Sequence, residues 1–129
     1  MRVAIAGSTG SIGKQTLEVV RAAGDSGKYQ VVALSANSSV AEIVAQAQSF
    51  KPEVVVVSDP SARKKVAEHL KPTNPKIEVI DDASQLAMLA DVVVNGVVGF
   101  AGLSVTMSAL KSGKRLALAN KESLIEPAQ

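Results

Sequence analysis

Short, wholly apolar runs recur along this chain and alternate with longer segments of helical periodicity. The runs occupy residues 3–5, 31–34, 54–57, 92–94 and 116–118. A sixth run, at 77–80, contains the charged Glu78, so we expect this strand to lie nearer to an edge of the sheet. Runs of β-branched residues without polar alternation are typical of strands covered on both faces. The pattern therefore predicts an α/β fold: a doubly wound, mostly parallel sheet of about six strands in three layers, α/β/α.

Helical periodicity fills the intervals between the predicted strands. One face of the first helix carries Ile12, Thr16, Val19, Val20 and Ala23, and one face of the second carries Val40, Ile43, Val44, Ala47 and Phe50. A short fourth helix would carry Leu86 and Leu89, and a fifth would carry Leu103, Met107 and Leu110 and end near Gly113. Spacings of three and four residues place such side chains on one side of a helix, where they can cover the sheet.

Three of the helix starts carry recognisable signals. Ser39 and Glu42 have the spacing of a capping box, in which each side chain binds the backbone N–H of the other residue. Asp59 followed by Pro60 provides an N-cap and a proline at the first helical position. Asp82 is expected to cap the fourth helix.

The segment AGSTGSIG, residues 6–13, joins the first strand to the first helix. A strand, a glycine-rich turn and a helix form the arrangement that holds a dinucleotide pyrophosphate. Gly7 permits the sharp turn, Gly10 lets the phosphates approach the backbone, and Gly13 lets the helix pack closely against the strand. The spacing is G-x-x-G-x-x-G instead of the G-x-G-x-x-G of many dehydrogenases. We interpret the segment as the phosphate-binding turn of a Rossmann-like domain.

The end of the second strand bears on the choice of nucleotide. Sites that prefer NAD usually have an acidic residue here, which binds the ribose 2′-hydroxyl. This strand continues into Ala36, Asn37, Ser38 and Ser39, without a carboxylate. Because hydroxyl and amide groups can donate to a 2′-phosphate, the sequence favours NADP over NAD. Ser39 could also serve only as the cap of the following helix.

Composition and charge exclude several classes of function. The 129 residues suffice for one domain with a core, and the absence of cysteine excludes thiolate catalysis and Cys-ligated zinc within them. A net charge of +2, with one tyrosine and two phenylalanines, gives no basis for nucleic-acid binding. Without a signal peptide or a membrane-length apolar run, we expect a cytoplasmic protein with no membrane partner. The single histidine, His69, lies in a Lys/Arg-rich helix and is expected to be exposed.

Polar residues also follow the last two predicted strands. Asn120, Lys121 and Glu122 follow the strand predicted at 116–118. They would lie at the edge where open α/β sheets bind ligands. A cation there, beside a nicotinamide, can polarise a ketone or bind an anionic substrate. The same three residues are also compatible with the solvated start of a helix. Asn95 and Gly96, after the fifth strand, either adjoin the cofactor or form only a turn.

Three segments together resemble one enzyme family. They are GSTGSIG at residues 7–13, DVVVNGVVGFAGL at 91–103 and ANKESL at 119–124. In order and spacing, across essentially the whole chain, they are similar to the N-terminal domain of 1-deoxy-D-xylulose 5-phosphate reductoisomerase. The resemblance implies an enzyme that isomerises and reduces this ketose phosphate with NADPH, forming 2-C-methyl-D-erythritol 4-phosphate for isoprenoid biosynthesis. It also implies a homodimer that uses Mg²⁺ or Mn²⁺.

The resemblance assigns roles to residues by position. The residues implied to contact the cofactor phosphates are Thr9, Gly10, Ser11 and Ile12, and those implied to hold the adenosine ribose and its 2′-phosphate are Ala36, Asn37, Ser38 and Ser39. Asn120 and Glu122 would lie by the cofactor, and Lys121 would reach the sugar-phosphate substrate. Many members have Gly, then Lys or Arg, then Asn at positions 37–39, and this chain departs from that pattern at all three.

The resemblance also divides the work between domains. Residues 1–129 correspond to the NADP(H)-binding domain of the family, whose catalytic, metal-binding domain and C-terminal domain would follow residue 129. The acidic residues of this chain are scattered along it, and the resemblance places no catalytic residue or metal ligand among them. We therefore expect this chain alone to bind NADPH without turning over substrate.

Two other functions fit parts of the pattern. One is another NAD(P)-dependent reductase with a G-x-x-G-x-x-G loop, such as a semialdehyde dehydrogenase or an extended short-chain reductase. The first needs a nucleophilic cysteine and the second a Tyr-x-x-x-Lys motif, which Tyr29 does not begin. The other is a non-catalytic nucleotide-sensing module. A sensor has no need of a substrate-facing lysine, so the ANKESL segment favours the reductoisomerase.

Overall fold

Residues 1–23 and 29–96, together with the backbone of residues 115–117, are described by the computed structural model. Within them the strands are β1 (Arg2–Ala6), β2 (Gln30–Ala36), β3 (Val54–Val57), β4 (Glu78–Ile80), β5 (Val92–Asn95) and β6 (Arg115–Ala117). The helices are α1 (Ser11–Ala23), α2 (Val40–Phe50), α3 (Pro60–Leu70) and α4 (Ser84–Leu89). Each predicted strand is present, and the predicted fifth helix falls outside the described residues.

All six strands pair in parallel, in the order β4-β3-β2-β1-β5-β6. From β1 the chain adds β2, β3 and β4 outward to one edge and then returns to place β5 on the other side of β1. The charged strand β4 is at an edge, as its sequence predicted. The direction of strand addition therefore reverses beside β1, and in open α/β sheets ligands bind in the crevice outside the carboxyl ends of such strands.

Helices cover both faces of the sheet, which confirms the three-layer, doubly wound fold. Side chains alternate between faces along a strand, so Val3 and Ile5 of β1 join one buried cluster and Ala4 and Ala6 join the other. The first face is covered by α1, α2 and α3, through Leu17, Ile43, Ala47, Ala62, Val66 and Leu70. The second is covered by α4, through Leu86 and Ala87. Full burial of a Leu or Ile side chain contributes about 1.5–3 kcal/mol.

The predicted apolar face of α1 is correct for Ile12, Thr16 and Val20 and wrong for Val19. Val19 is 49% exposed, and the buried residues are Gly13, Thr16 and Leu17. Successive helical residues are separated by about 100°, so Val19 lies roughly opposite Leu17. Gly13, which closely contacts the preceding turn, lies on the same inward side of the helix as Leu17. Ile12 and Val20, at the margins of the inward face, are partly buried against the core.

The predicted N-caps agree with the structure at α3 but not at α4, where Ala83 and not Asp82 is the N-cap residue. The Asp59 side chain accepts from Ala62 N at 2.8 Å, so the predicted N-cap of α3 is confirmed. Asp82 acts one residue before the cap position, where its Oδ1 accepts from Ser84 Oγ at 2.6 Å and from Ser84 N at 3.0 Å. These hydrogen bonds, that of the Ser84 hydroxyl first, lower the pKa of Asp82 below its usual value.

The capping box predicted for α2 is wrong. Ser39 is the N-cap residue, but its side chain makes no capping hydrogen bond. Glu42 turns instead toward α1, where its carboxylate binds Lys14 Nζ at 2.7 Å. A cation on the neighbouring helix thus replaces the backbone N–H that the capping box would have used.

None of the helices in residues 1–23 and 29–96 combines the length and the hydropathy needed to cross a membrane.

Candidate functional site

The turn after β1 contains a glycine in the left-handed region. Gly7 follows Ala6, the last residue of β1, and has a φ of 71°. An L side chain would be strained there, so the sharp turn requires glycine. Gly10 N donates to Gly7 O at 3.1 Å, and the first i→i−4 hydrogen bond of α1 runs from Lys14 N to Gly10 O at 2.9 Å. The chain therefore passes from strand to helix within four residues, as the motif predicted.

Ser8 is fully buried and anchors the turn to β2. Its N–H donates to Ser35 O at 2.9 Å and its hydroxyl to the same oxygen at 3.3 Å. Gly7 N donates to the Ser35 hydroxyl at 3.0 Å. Ser35 is not among the residues predicted for the site, although a serine directly after the apolar run 31–34 was a usable signal. Ser8 faces the protein interior, so the ligand-facing part of the turn begins at Thr9.

The remaining glycines differ in the space around them. A Cβ at Gly13 would lie 2.4 Å from Ser8 Cα and 2.5 Å from Gly7 O, so the helix packs against the turn only with glycine here. A Cβ at Gly96 would lie 3.2 Å from Ala6 O, which is also tight. At Gly10 a Cβ would meet, among the described residues, only Gly7 O, at 3.4 Å, an ordinary contact. Gly10 therefore borders open space, which leaves room for a ligand to approach its backbone.

The start of α1 has the properties of an anion site. The amides of Ser11, Ile12 and Gly13 precede the first helical hydrogen bond and have no carbonyl partner within the helix. The helix dipole adds a positive partial charge at the same end. Gly10 and Ser11 are exposed and Thr9 is half-buried, whereas the Ile12 side chain packs against the core. Ile12 therefore presents mainly its backbone to a ligand at this end of the helix.

The end of β2 lies at the same edge of the sheet. Ala36 is buried and pairs with Val57, whereas Asn37 and Ser38 are exposed and Ser39 is half-buried. Ser58 Oγ donates to Asn37 Oδ1 at 2.7 Å, which fixes the Asn37 side chain against the end of β3. The neighbouring carboxylate, that of Asp59, is engaged as the N-cap of α3. The structure thus brings residues 36–39 to the edge that also carries the glycine turn.

The end of β5 completes this part of the crevice. Asn95 is buried and lies in register with Ala6, and Gly96 N donates to Ala6 O at 2.9 Å. The ends of β1 and β5 are therefore joined directly beside the glycine turn, where the strand order reverses.

Other candidates have separate outcomes. The predicted site residues Asn120, Lys121 and Glu122 lie outside the described residues. His69 is exposed, as predicted. Within the part of the chain that the structure describes, no three His, Asp or Glu residues are grouped so that they could hold a metal ion.

Sequence comparison identifies relatives over almost the whole chain. The family model described as 1-deoxy-D-xylulose 5-phosphate reductoisomerase matches residues 3–128. The chain is 43% identical over 124 residues to the enzyme of that name from Leifsonia xyli subsp. xyli, which covers 96% of this chain and 28% of the relative. It is 45% identical over 126 residues to that from Prochlorococcus marinus subsp. pastoris, which covers 92% of this chain and 31% of the relative. The chain thus spans about a third of the length of these relatives.

Solved structures give the same relationship. The reductoisomerase from Zymomonas mobilis in complex with NADPH superposes with a TM-score of 0.82 at 36% identity, over 96% of this chain and 33% of that one. A reductoisomerase in complex with NADPH, fosmidomycin and magnesium superposes with a TM-score of 0.84 at 34% identity, over 97% of this chain and 31% of that one.

Proposed function

The chain belongs to the 1-deoxy-D-xylulose 5-phosphate reductoisomerase family, and from this membership we propose that it is the NADPH-binding domain of such an enzyme. The observation that carries the proposal is the glycine turn between β1 and α1. Its open side at Gly10 and the amides at the start of α1 suit a pyrophosphate, which needs close backbone approach and N–H donors. A solved relative of 36% identity binds NADPH, which supports this assignment over another G-x-x-G-x-x-G reductase or a nucleotide sensor.

Each end of the proposed cofactor site has its own residues. Thr9, Gly10, Ser11 and Ile12 would bind the pyrophosphate, mainly through their backbone. Asn37, Ser38 and Ser39, beside Ala36, would receive the adenosine ribose and its 2′-phosphate with hydroxyl and amide groups. Asn120 and Glu122 would lie by the cofactor, and Lys121 would bind the sugar phosphate. NADPH, when bound, supplies the hydride for reduction of the carbonyl.

The whole enzyme would contain more than this chain. We propose that residues 1–129 supply the NADPH site, and that a catalytic domain with the Mg²⁺ or Mn²⁺ ligands and a C-terminal domain follow them in the complete protein. That protein would convert 1-deoxy-D-xylulose 5-phosphate to 2-C-methyl-D-erythritol 4-phosphate in isoprenoid biosynthesis, as a cytoplasmic homodimer.

Titration calorimetry with NADPH and NADH tests the cofactor assignment. We expect NADPH to bind more tightly, because residues 36–39, at the end of β2, include no carboxylate. Ser38→Asp would place a negative charge beside that phosphate and shift the preference toward NADH. Ser49→Asp is the matched control, because Ser49 is exposed near the far end of α2 and its substitution adds the same charge away from the site.

Two results would contradict this assignment. Equal or reversed affinities of the unmodified chain for NADPH and NADH would remove the NADP preference. A shift of the preference in Ser49→Asp as large as that in Ser38→Asp would show that net charge, and not a local contact, decides it.

A further inference from the structure

The glycine turn is also held from a second helix, α2. Gln46, which is half-buried on α2, donates from Nε2 to Ser8 O at 2.9 Å. We propose that Gln46 is a positioning residue of the nucleotide site: it fixes the Ser8–Thr9 peptide so that Thr9 N–H faces the bound pyrophosphate. This proposal rests on the proposed function of the turn as the phosphate-binding element.

The orientation follows from the geometry of the peptide. In a trans peptide the C=O and the following N–H point in opposite directions. Because Ser8 O points toward Gln46 on α2, Thr9 N–H points to the other side of the turn. Within the described residues Thr9 N has no hydrogen-bond partner, and Thr9 is only half-buried. One donor of the turn is thus available on the side that faces away from Gln46.

Gln46 binds the one carbonyl of Ser8 that β2 leaves unbound. Ser35 accepts from both Ser8 donors and from Gly7 N, so β2 fixes the peptides before Ser8. The Ser8 carbonyl is the one polar group of this residue that β2 does not bind. If Gln46 released it, the Ser8–Thr9 peptide could rotate and turn Thr9 N–H away from the ligand.

The rest of the Gln46 side chain supports a role beyond packing. Its Oε1 is buried and has no hydrogen-bond partner among the described residues. A buried acceptor without a donor is destabilising, and an apolar side chain of similar length would avoid that cost. Packing alone therefore gives no reason for a glutamine at this position. One turn earlier, Glu42 binds Lys14 of α1 at 2.7 Å, so α2 and the start of α1 are linked at a second point.

The test compares Gln46→Met with Gln48→Met. Methionine keeps the approximate length of glutamine but cannot donate to Ser8 O. Gln48 lies on the same helix and is exposed, and its one hydrogen bond to a described residue is to Thr73 Oγ1 at 3.3 Å, so it is the matched control. Affinities are measured by calorimetry for NADPH and for adenosine 2′-monophosphate, which carries the 2′-phosphate but no pyrophosphate.

We expect Gln46→Met to weaken NADPH binding about five- to tenfold, the effect of one hydrogen bond, and to leave binding of adenosine 2′-monophosphate unchanged. Gln48→Met should change neither affinity. Unchanged NADPH binding in Gln46→Met, or equal weakening of both ligands, would overturn the positioning role. Failure of the unmodified chain to bind NADPH would overturn the proposed function itself, which is a different result.

A measurement on the unmodified chain covers the case in which Gln46→Met does not fold. On saturation with NADPH, the amide proton of Thr9 should move downfield in the NMR spectrum, because it donates to a phosphate oxygen. A Thr9 amide that stays in place while those of Ser11 and Ile12 shift would show that the Ser8–Thr9 peptide does not face the ligand.

Discussion

The three glycines of the turn lack a side chain for three different reasons. Gly7 has a positive φ, which is a demand of the backbone. Gly13 has no room for a Cβ beside Ser8, which is a demand of packing. A Cβ at Gly10 would contact only Gly7 O among the described residues, so these residues do not demand glycine there. We therefore attribute the glycine at position 10 to the proposed approach of a pyrophosphate to its backbone.

This difference leads to opposite expectations for two substitutions. Gly10→Val should leave the free energy of unfolding close to that of the unmodified chain and abolish NADPH binding, because the branched side chain blocks the pyrophosphate. Gly13→Ala should lower the free energy of unfolding by about 1–3 kcal/mol, the usual cost of overpacking. Urea denaturation measures the free energy of unfolding of both variants, and calorimetry measures their NADPH binding. NADPH binding retained in Gly10→Val would remove the turn from the cofactor site.

The polar contacts around the turn were less accessible to sequence reasoning than its glycines. The spacing identified Gly7, Gly10 and Gly13 because each of the three constraints is met by glycine. Ser35 and Gln46 hold the turn from β2 and α2, but serine and glutamine occur at many positions with no such role. Their partner, Ser8, is distant in sequence, and only the packing of α2 against α1 and the pairing of β2 with β1 bring the groups together.

At the scale of elements, helix ends show where local signals suffice. Asp59 and Pro60 predicted the start of α3 correctly because the capping hydrogen bond lies within three residues. Ser39 and Glu42 failed as a capping box because Lys14, on another helix, competes for the Glu42 carboxylate. Val19 was misassigned to the inward face of α1 because periodicity alone does not show that Gly13, which contacts the turn, faces inward.

The two caps should differ in their contribution to stability. Asp59→Ala should lower the free energy of unfolding by about 1 kcal/mol, because it removes the side-chain acceptor of Ala62 N. Ser39→Ala should lower it by much less, because the Ser39 side chain makes no capping hydrogen bond. Urea denaturation of both variants measures this difference. A loss in Ser39→Ala equal to that in Asp59→Ala would contradict the described start of α2.

For the molecule as a whole, the sheet order was predictable in part. Uninterrupted apolar runs predicted a parallel sheet covered on both faces, and the charge at Glu78 predicted an edge position for β4. Which strand neighbours β1 on each side depends on how the chain returns after β4, and no local pattern encodes that return. The pairing of β1 with β5 is nevertheless what joins the glycine turn to Asn95 and Gly96.

The division of labour proposed for the whole enzyme predicts binding without turnover. With 1-deoxy-D-xylulose 5-phosphate and Mg²⁺ added, this chain should bind NADPH but leave its absorbance at the reduced-nicotinamide band constant. Ketose rearrangement needs a divalent metal to polarise the carbonyl, and the proposed metal ligands follow residue 129. A longer chain that includes the downstream domains serves as the positive control. Steady loss of absorbance with the short chain alone, free of contaminating enzyme, would show that the proposed division is wrong.

The central position of β1 has a consequence for the order of assembly on the ribosome. β1 pairs with β2 early, Arg2 with Gln30, but its other edge waits for a strand much later in the chain, Val3 with Val92. Translation at about 5–20 residues per second therefore leaves that edge of β1 open for several seconds, exposed to pairing with other chains. The hydrogen bond from Gly96 N to Ala6 O forms only when β5 arrives. Nucleotide binding by a nascent chain would thus indicate that β5 has paired with β1.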